Sequence, residues 1–183
     1  MNIHHIPTKT ILAALALAAL PAVALAAPGS SPAPQTVSAT TTACPSGWGS
    51  LPEANARMVQ SPAVSVRTGR HACFDRLVVD LQGRAPGYDV RYVNAVTQDG
   101  SGFVVPLRGD AKLQIVVRAP SGKPLQAPDV RGYDTFRQVA YAGSFEGQTT
   151  LGLGVRARLP FRVTTVAGPG TNTRLVVDVA HHW

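Results

Sequence analysis

From Ala63 to the C-terminus, apolar residues recur at alternate positions in short runs, the period of a half-buried β-strand. The runs predict strands over Ala63–Thr68, Phe74–Leu81, Tyr88–Thr97, Phe103–Leu107, Leu113–Ala119, Thr135–Ala142, Thr149–Val155, Phe161–Val166 and Thr173–Ala180, all rich in Val, Leu and aromatic residues. Gln82-Gly83 through Pro86-Gly87, Asp99-Gly100-Ser101-Gly102 and Gly109-Asp110 separate them with the residues that tight turns require. Pro120 to Gly132 is the longest predicted loop, where function is most easily accommodated. Ahead of the first strand, Pro45 to Pro62 reads as irregular, with a helical turn expected over Glu53–Gln60. About eight or nine short, mostly antiparallel strands with no long helix predict an all-β domain, a β-sandwich, with an open barrel as the alternative.

One pentapeptide occurs twice near the ends of this stretch: Arg76-Leu77-Val78-Val79-Asp80 and Arg174-Leu175-Val176-Val177-Asp178. In each copy Arg, the central Val and Asp share one face, and the Leu and second Val share the other. Set antiparallel with Val78 opposite Val176, the copies place Arg76 across from Asp178 and Asp80 across from Arg174. A parallel pairing in register would juxtapose like charges.

The N-terminus changes the compartment. Lys9 in a polar start, an apolar run from Ile11 to Leu25 broken by Pro21, and the small residues Ala24 and Ala26 predict a secretory signal peptide over 1–26. The run is short of the ~20 residues of a membrane span, so no integral span is expected after cleavage, and no cysteine stands at the cleavage point to carry a lipid. Residues 27–43 are Pro, Ser, Thr, Ala and Gln with Gly29 and Val37 and without charge, a flexible linker in expectation. Residues 44–183 then form one domain with its own core. Cys44 and Cys73 both lie in the exported part and are expected to pair, closing a loop whose cross-link stabilises by roughly 3 to 4 kcal/mol. Without C-x-x-C spacing they predict no metal site.

The chain carries a net +7, and fourteen of its seventeen basic residues are Arg. Planar guanidinium forks suit carboxylate and phosphate, which makes anionic envelope polymers plausible partners, although a high-GC codon bias accounts for much of the Arg excess. Export argues against nucleic acid as the polyanion.

Catalytic signatures are sparse. Gly143-Ser144-Phe145 lacks the G-x-S-x-G elbow of a serine hydrolase, and Gly152-x-Gly154 lacks the third glycine of a dinucleotide loop, so these glycines are read as a bulge or a close backbone contact within a strand. His71 reads as a loop residue near the disulfide. The neighbours His181 and His182 point to opposite faces of a strand end, and the acidic residues are scattered singly. No catalytic residue, metal or cofactor is expected. Trp48 and Trp183 read as hydrophobic plugs. The best binding constellation is Arg91 and Tyr92 with Arg156, Arg158 and Arg162, supplemented by Tyr133, Phe145 and Glu146 near the long loop, with aromatic faces for sugar rings and Arg for anions.

Trp48-Gly49-Ser50, Thr68-Gly69-Arg70-His71, Cys73-Phe74-Asp75-Arg76, Gly87-Tyr88-Asp89-Val90-Arg91-Tyr92-Val93, Gly143-Ser144-Phe145-Glu146-Gly147, Phe161-Arg162-Val163 and Leu175-Val176-Val177-Asp178-Val179 together resemble the AMIN-like domain of exported actinobacterial proteins. Asp99-Gly100-Ser101-Gly102 and Gly152-Leu153-Gly154-Val155-Arg156 add to the resemblance. It covers nearly all of 44–183. It implies a β-sandwich related to AMIN domains, which are not catalytic and direct cell-wall amidases and secretins to peptidoglycan. The implied role is a secreted, envelope-associated binding module for peptidoglycan or another anionic wall polymer. A wall-acting enzyme or inhibitor, or an interaction subunit with an envelope protein partner, are the alternatives.

Overall fold

The computed structural model describes residues 43–183, and its strands fall where apolar residues alternate. The strands are β1 (Glu53–Asn55), β2 (Ala63–Arg70), β3 (Phe74–Leu81), β4 (Tyr88–Val93), β5 (Val96–Thr97), β6 (Val104–Val105), β7 (Ala111–Val117), β8 (Phe136–Phe145), β9 (Gln148–Val155), β10 (Phe161–Ala167) and β11 (Thr173–Ala180). Among the described residues there is no helix. The proposed leader over 1–26 and all but the last residue of the 27–43 linker lie outside the described residues.

Two antiparallel sheets make the sandwich, one in the order β1-β4-β7-β9-β8 and the other β10-β11-β3-β2. Leu77, Val79 and Leu81 of β3 and Leu175, Val177 and Val179 of β11 face Val90, Leu113, Ile115, Leu151 and Leu153 of the other sheet in one buried cluster. The inward positions are thus the alternate residues of the sequence pattern. In the pentapeptide repeat, β11 pairs with β3 antiparallel, Val176 opposite Val78, Asp178 opposite Arg76 and Arg174 opposite Asp80, as charge complementarity requires. Cross-links tie the layers at one end: Glu53 Oε2 on β1 accepts the Val163 N–H of β10 at 3.1 Å, and the Phe161 N–H donates to the Gly49 carbonyl.

Three expectations are corrected. Glu53–Gln60 holds no helical turn, because Glu53–Asn55 pairs with β4 and the Asn55 side chain then accepts the Arg57 N–H to end the strand. The run Tyr88–Thr97 is two strands broken at Asn94-Ala95, and its second part joins Val104–Val105 in a separate two-stranded sheet instead of entering the sandwich. That small sheet and the segment after it lie over β9, where a Cβ on Gly152 would stand 2.6 Å from the Leu107 side chain and one on Gly154 1.8 Å from the Arg108 carbonyl oxygen. The glycine pair is therefore a close backbone contact, as the sequence suggests. Finally β8 runs on to Phe145, ending in a two-residue hairpin in which Glu146 and Gly147 take φ of 47° and 77°, the positive values of a type I′ turn.

Cys44 and Cys73 form a disulfide across a sequence separation of 29, with Cα atoms 5.4 Å apart, and fasten the segment before β1 to the β2–β3 turn. Reducing it, or replacing both cysteines by serine, is expected to lower stability by about 3 kcal/mol. Urea titration of oxidised and reduced protein checks this, since a shared midpoint would show that the cross-link constrains nothing.

Candidate functional site

The outward face of the four-stranded sheet is built from the polar half of the repeat. Arg76 reaches Asp178 with both Nε and Nη2, at 2.6 and 2.9 Å, and Arg162 of β10 donates to the same carboxylate at 3.0 Å. One strand over, Arg67 of β2 forks onto Asp80 at 2.9 and 3.1 Å, Ser65 donates to it at 2.8 Å, and Arg174 Nε lies 3.3 Å away. Each carboxylate thus holds two guanidiniums, and four arginines against two aspartates leave the face with a net charge of +2. Asp178 is fully buried beneath its arginines, whereas the side chains of Arg76, Arg162 and Arg174 stay about one-third exposed and that of Arg67 about half. The exposed parts of these guanidiniums can take a further anion.

Aromatic rings close one end of this face. The Arg162 guanidinium lies 4.5 Å from the Trp48 ring centroid, Arg76 lies 5.2 Å from that of Phe74, and His71 stacks on Phe74 at 4.5 Å. Beside them a cleft of about 210 Å³ is lined by Trp48, Trp183, Pro160, His182, the disulfide and residues 45–47. Trp183 is 77% exposed, which overturns its reading as a hydrophobic plug; its indole N–H donates to the Arg158 carbonyl at 3.1 Å and fixes the ring at the mouth. Trp48 is half-buried and packs 5.6 Å from Phe74.

Four residues of the expected constellation converge at this end. The Tyr92 hydroxyl donates to the Leu159 carbonyl and accepts the Leu159 N–H, and burial raises its pKa. Arg158 covers the Tyr92 ring at 5.0 Å and donates to the Ser50 carbonyl, Arg156 donates to the His181 carbonyl, and Arg162 joins the sheet face to Trp48. The other four lie apart. Arg91 forks onto Asp89 on the outward side of the five-stranded sheet. Tyr133 stacks on Phe136 and donates to the Thr68 hydroxyl. Phe145 and Glu146 form the β8–β9 hairpin, the full length of β9 from the Trp end. Sequence reasoning did not place Arg67, Arg76, Arg174 and their aspartates in the site, although the alternation of the repeat puts them on one face.

Ser144 is a hairpin residue whose hydroxyl donates to the Gln148 carbonyl and accepts the Ser121 N–H. His181 is buried and His182 exposed, so adjacent histidines diverge as expected.

Burial pushes the Asp80 carboxyl up, but hydrogen bonds from Arg67 and Ser65 and the charges of Arg67 and Arg174 outweigh it and hold the pKa below the usual aspartate value of 3.8. A folded-state pKa below the unfolded one gives stability that is complete above about pH 4 and is lost as pH falls through the folded value. Asp80→Asn is therefore expected to flatten the acid limb of the stability profile below about pH 4. Thermal melts of both proteins from neutral pH to pH 2 check it, and parallel profiles would remove Asp80 from the account.

Residues 61–181, about two-thirds of the chain, match the family model of the AMIN-like domain. No curated protein and no solved structure matches the chain.

Proposed function

Because the chain belongs to the AMIN-like domain family, we propose that it is a secreted, non-catalytic module that holds to the cell envelope through an anionic wall polymer, peptidoglycan first among them. Residues 1–26 act as the export signal and 27–43 as the tether, so that 44–183 works outside the membrane. The observation that carries this reading is the doubly gripped carboxylates: each of Asp80 and Asp178 is shared by two arginines on an open sheet face, and Arg162 of the Asp178 cluster lies against Trp48 of the Trp48–Trp183 cleft. Stem-peptide carboxylates would take the place of a third aspartate, and a sugar ring would lie against indole. AMIN domains direct wall enzymes to peptidoglycan, and membership of the related AMIN-like family supports the same location and a binding rather than catalytic role. Among the described residues no helix is long and apolar enough to cross a membrane.

A second reading, a protein-interaction subunit, is favoured by one feature. At the far end of the sandwich Phe145 packs against Gly100 and Met58 approaches Gly147, and with Phe103 and Val104 these apolar side chains are about half to nearly three-quarters exposed. Such a cluster suits a protein surface.

Purified protein incubated with insoluble peptidoglycan is expected to be retained at low ionic strength and released at high salt, since exposed charge pairs are screened. Trp183→Ala, at an exposed position with little bearing on folding, is expected to weaken retention about tenfold. Failure to bind at any ionic strength contradicts the proposal, soluble muropeptide release contradicts its non-catalytic part, and retention only with an added envelope extract favours the second reading.

A further inference from the structure

Below the arginine end of the sandwich, three side chains far apart in sequence converge. Asp75 is the second residue of β3, Asp134 precedes β8 and His181 follows β11, and Asp75 and His181 stand 106 positions apart in the chain. His181 Nε2 lies 3.3 Å from Asp75 Oδ1 and 3.7 Å from Asp134 Oδ2, and the three donor atoms all fall within 4.8 Å of one another. We propose that they form a binding site for one divalent first-row metal ion of the zinc class.

The donor set and its support both favour this chemistry. One imidazole and two carboxylates suit a borderline transition metal better than calcium or magnesium, whose ligands are all oxygen. Donors at about 2.0 to 2.2 Å from a tetrahedral ion stand roughly 3.3 to 3.6 Å from each other, close to two of the three separations here. Asp75 is fully buried, and its Oδ2 accepts the Thr135 N–H at 2.6 Å and the Phe136 N–H at 3.2 Å, which holds Oδ1 toward His181 as a ligating carboxylate is held.

The placement of the His181 ring adds to this argument. It is 93% buried in effect, with 7% of its surface exposed, and it aims a single nitrogen at two acceptors. One N–H can satisfy only one of them, and 3.3 Å is long against the 2.7–2.9 Å of a charge-assisted hydrogen bond. A cation between the three satisfies both acceptors and the nitrogen lone pair together. Its entry is an open hollow lined by Ala72, Asp134, Arg156, His181 and His182, so the fourth position faces solvent. The opposing charges nearby are Arg156, engaged with the His181 carbonyl, and Arg70, 3.8 Å from Asp134 and more than half exposed, which is free to swing aside.

An ion here would clamp the C-terminal end of β11 to β3 and to the loop before β8, independently of whether the Trp cleft binds glycan. The test is calorimetric titration of the metal-stripped full chain with zinc chloride, with Asp134→Asn as the main variant because Asp134 is exposed and its loss leaves the buried pair in place. The expected result is one zinc ion per chain, a rise in Tm of several degrees at saturating zinc, and an affinity at least tenfold weaker in Asp134→Asn. Cobalt bound in place of zinc would give a visible ligand-field spectrum that the variant loses. Absence of binding overturns the proposal, and so does zinc binding of equal affinity in Asp134→Asn, which would place the ion on other histidines. His181→Gln gives the same reading provided its circular dichroism matches that of the unaltered protein.

Discussion

The register of β3 against β11 is the constraint from which the rest of the domain follows. Its inward residues are the middle of the core, with Leu77, Val79, Leu175 and Val177 fully buried, and its outward residues alternate in charge so that only one antiparallel alignment pairs every Arg with an Asp. A slip by one residue would turn the apolar set to solvent. A slip by two keeps the faces but would break the Arg76–Asp178 and Arg174–Asp80 pairings, so the charges remove the nearest competitor that the hydrophobic pattern alone would tolerate. Because Asp178 is wholly buried, its two arginines are required as well as permitted: an unpaired carboxylate there would carry a large desolvation cost.

That same device shapes what the surface can do. β10 and β2 flank the pair and each adds one arginine, Arg162 and Arg67, to a carboxylate already engaged. A face assembled to fix register thereby acquires more guanidinium than carboxylate. Its end is closed by Trp48, itself held by the disulfide-anchored segment and by Arg162, so electrostatic and aromatic contacts meet where the N-terminal strap, β10 and the C-terminus come together. An anionic glycan bound as proposed would draw on the same arginines that stabilise the sheet, which is why neutralising them wholesale would confuse the two.

Much of this was legible in the chain. The period of two located every strand of the two main sheets except β1, and the repeat fixed one pairing with its register, because side-chain alternation and cross-strand charge are local consequences of strand geometry. The disulfide followed from there being two cysteines, both in the part of the chain expected to be exported. What escaped was set by tertiary partners. Glu53–Asn55 has no strand pattern of its own and becomes one by adding to the edge of β4. Val96–Thr97 continues the alternation of β4 yet leaves the sheet, because it must cover Gly152 from outside. Arg156, Arg158, Arg162 and Tyr92 come together at one end of the fold, whereas Phe145 and Glu146 resemble them in type but sit at the opposite hairpin. Trp183 looked like core from its composition alone, and only its bond to the Arg158 carbonyl reveals an exposed, oriented ring. The Asp75–Asp134–His181 cluster has no spacing signature, since its members come from three separate elements.

Backbone amide and indole NMR of the isotope-labelled protein, titrated with soluble muropeptides, tests the central claim most directly. The account predicts that shifts concentrate at Trp48, Trp183, Arg162 and the outward arginines of β3 and β11, leaving Phe145 and the β8–β9 hairpin unmoved. Perturbations confined to that hairpin or to the five-stranded sheet, or none at saturating ligand, would contradict it.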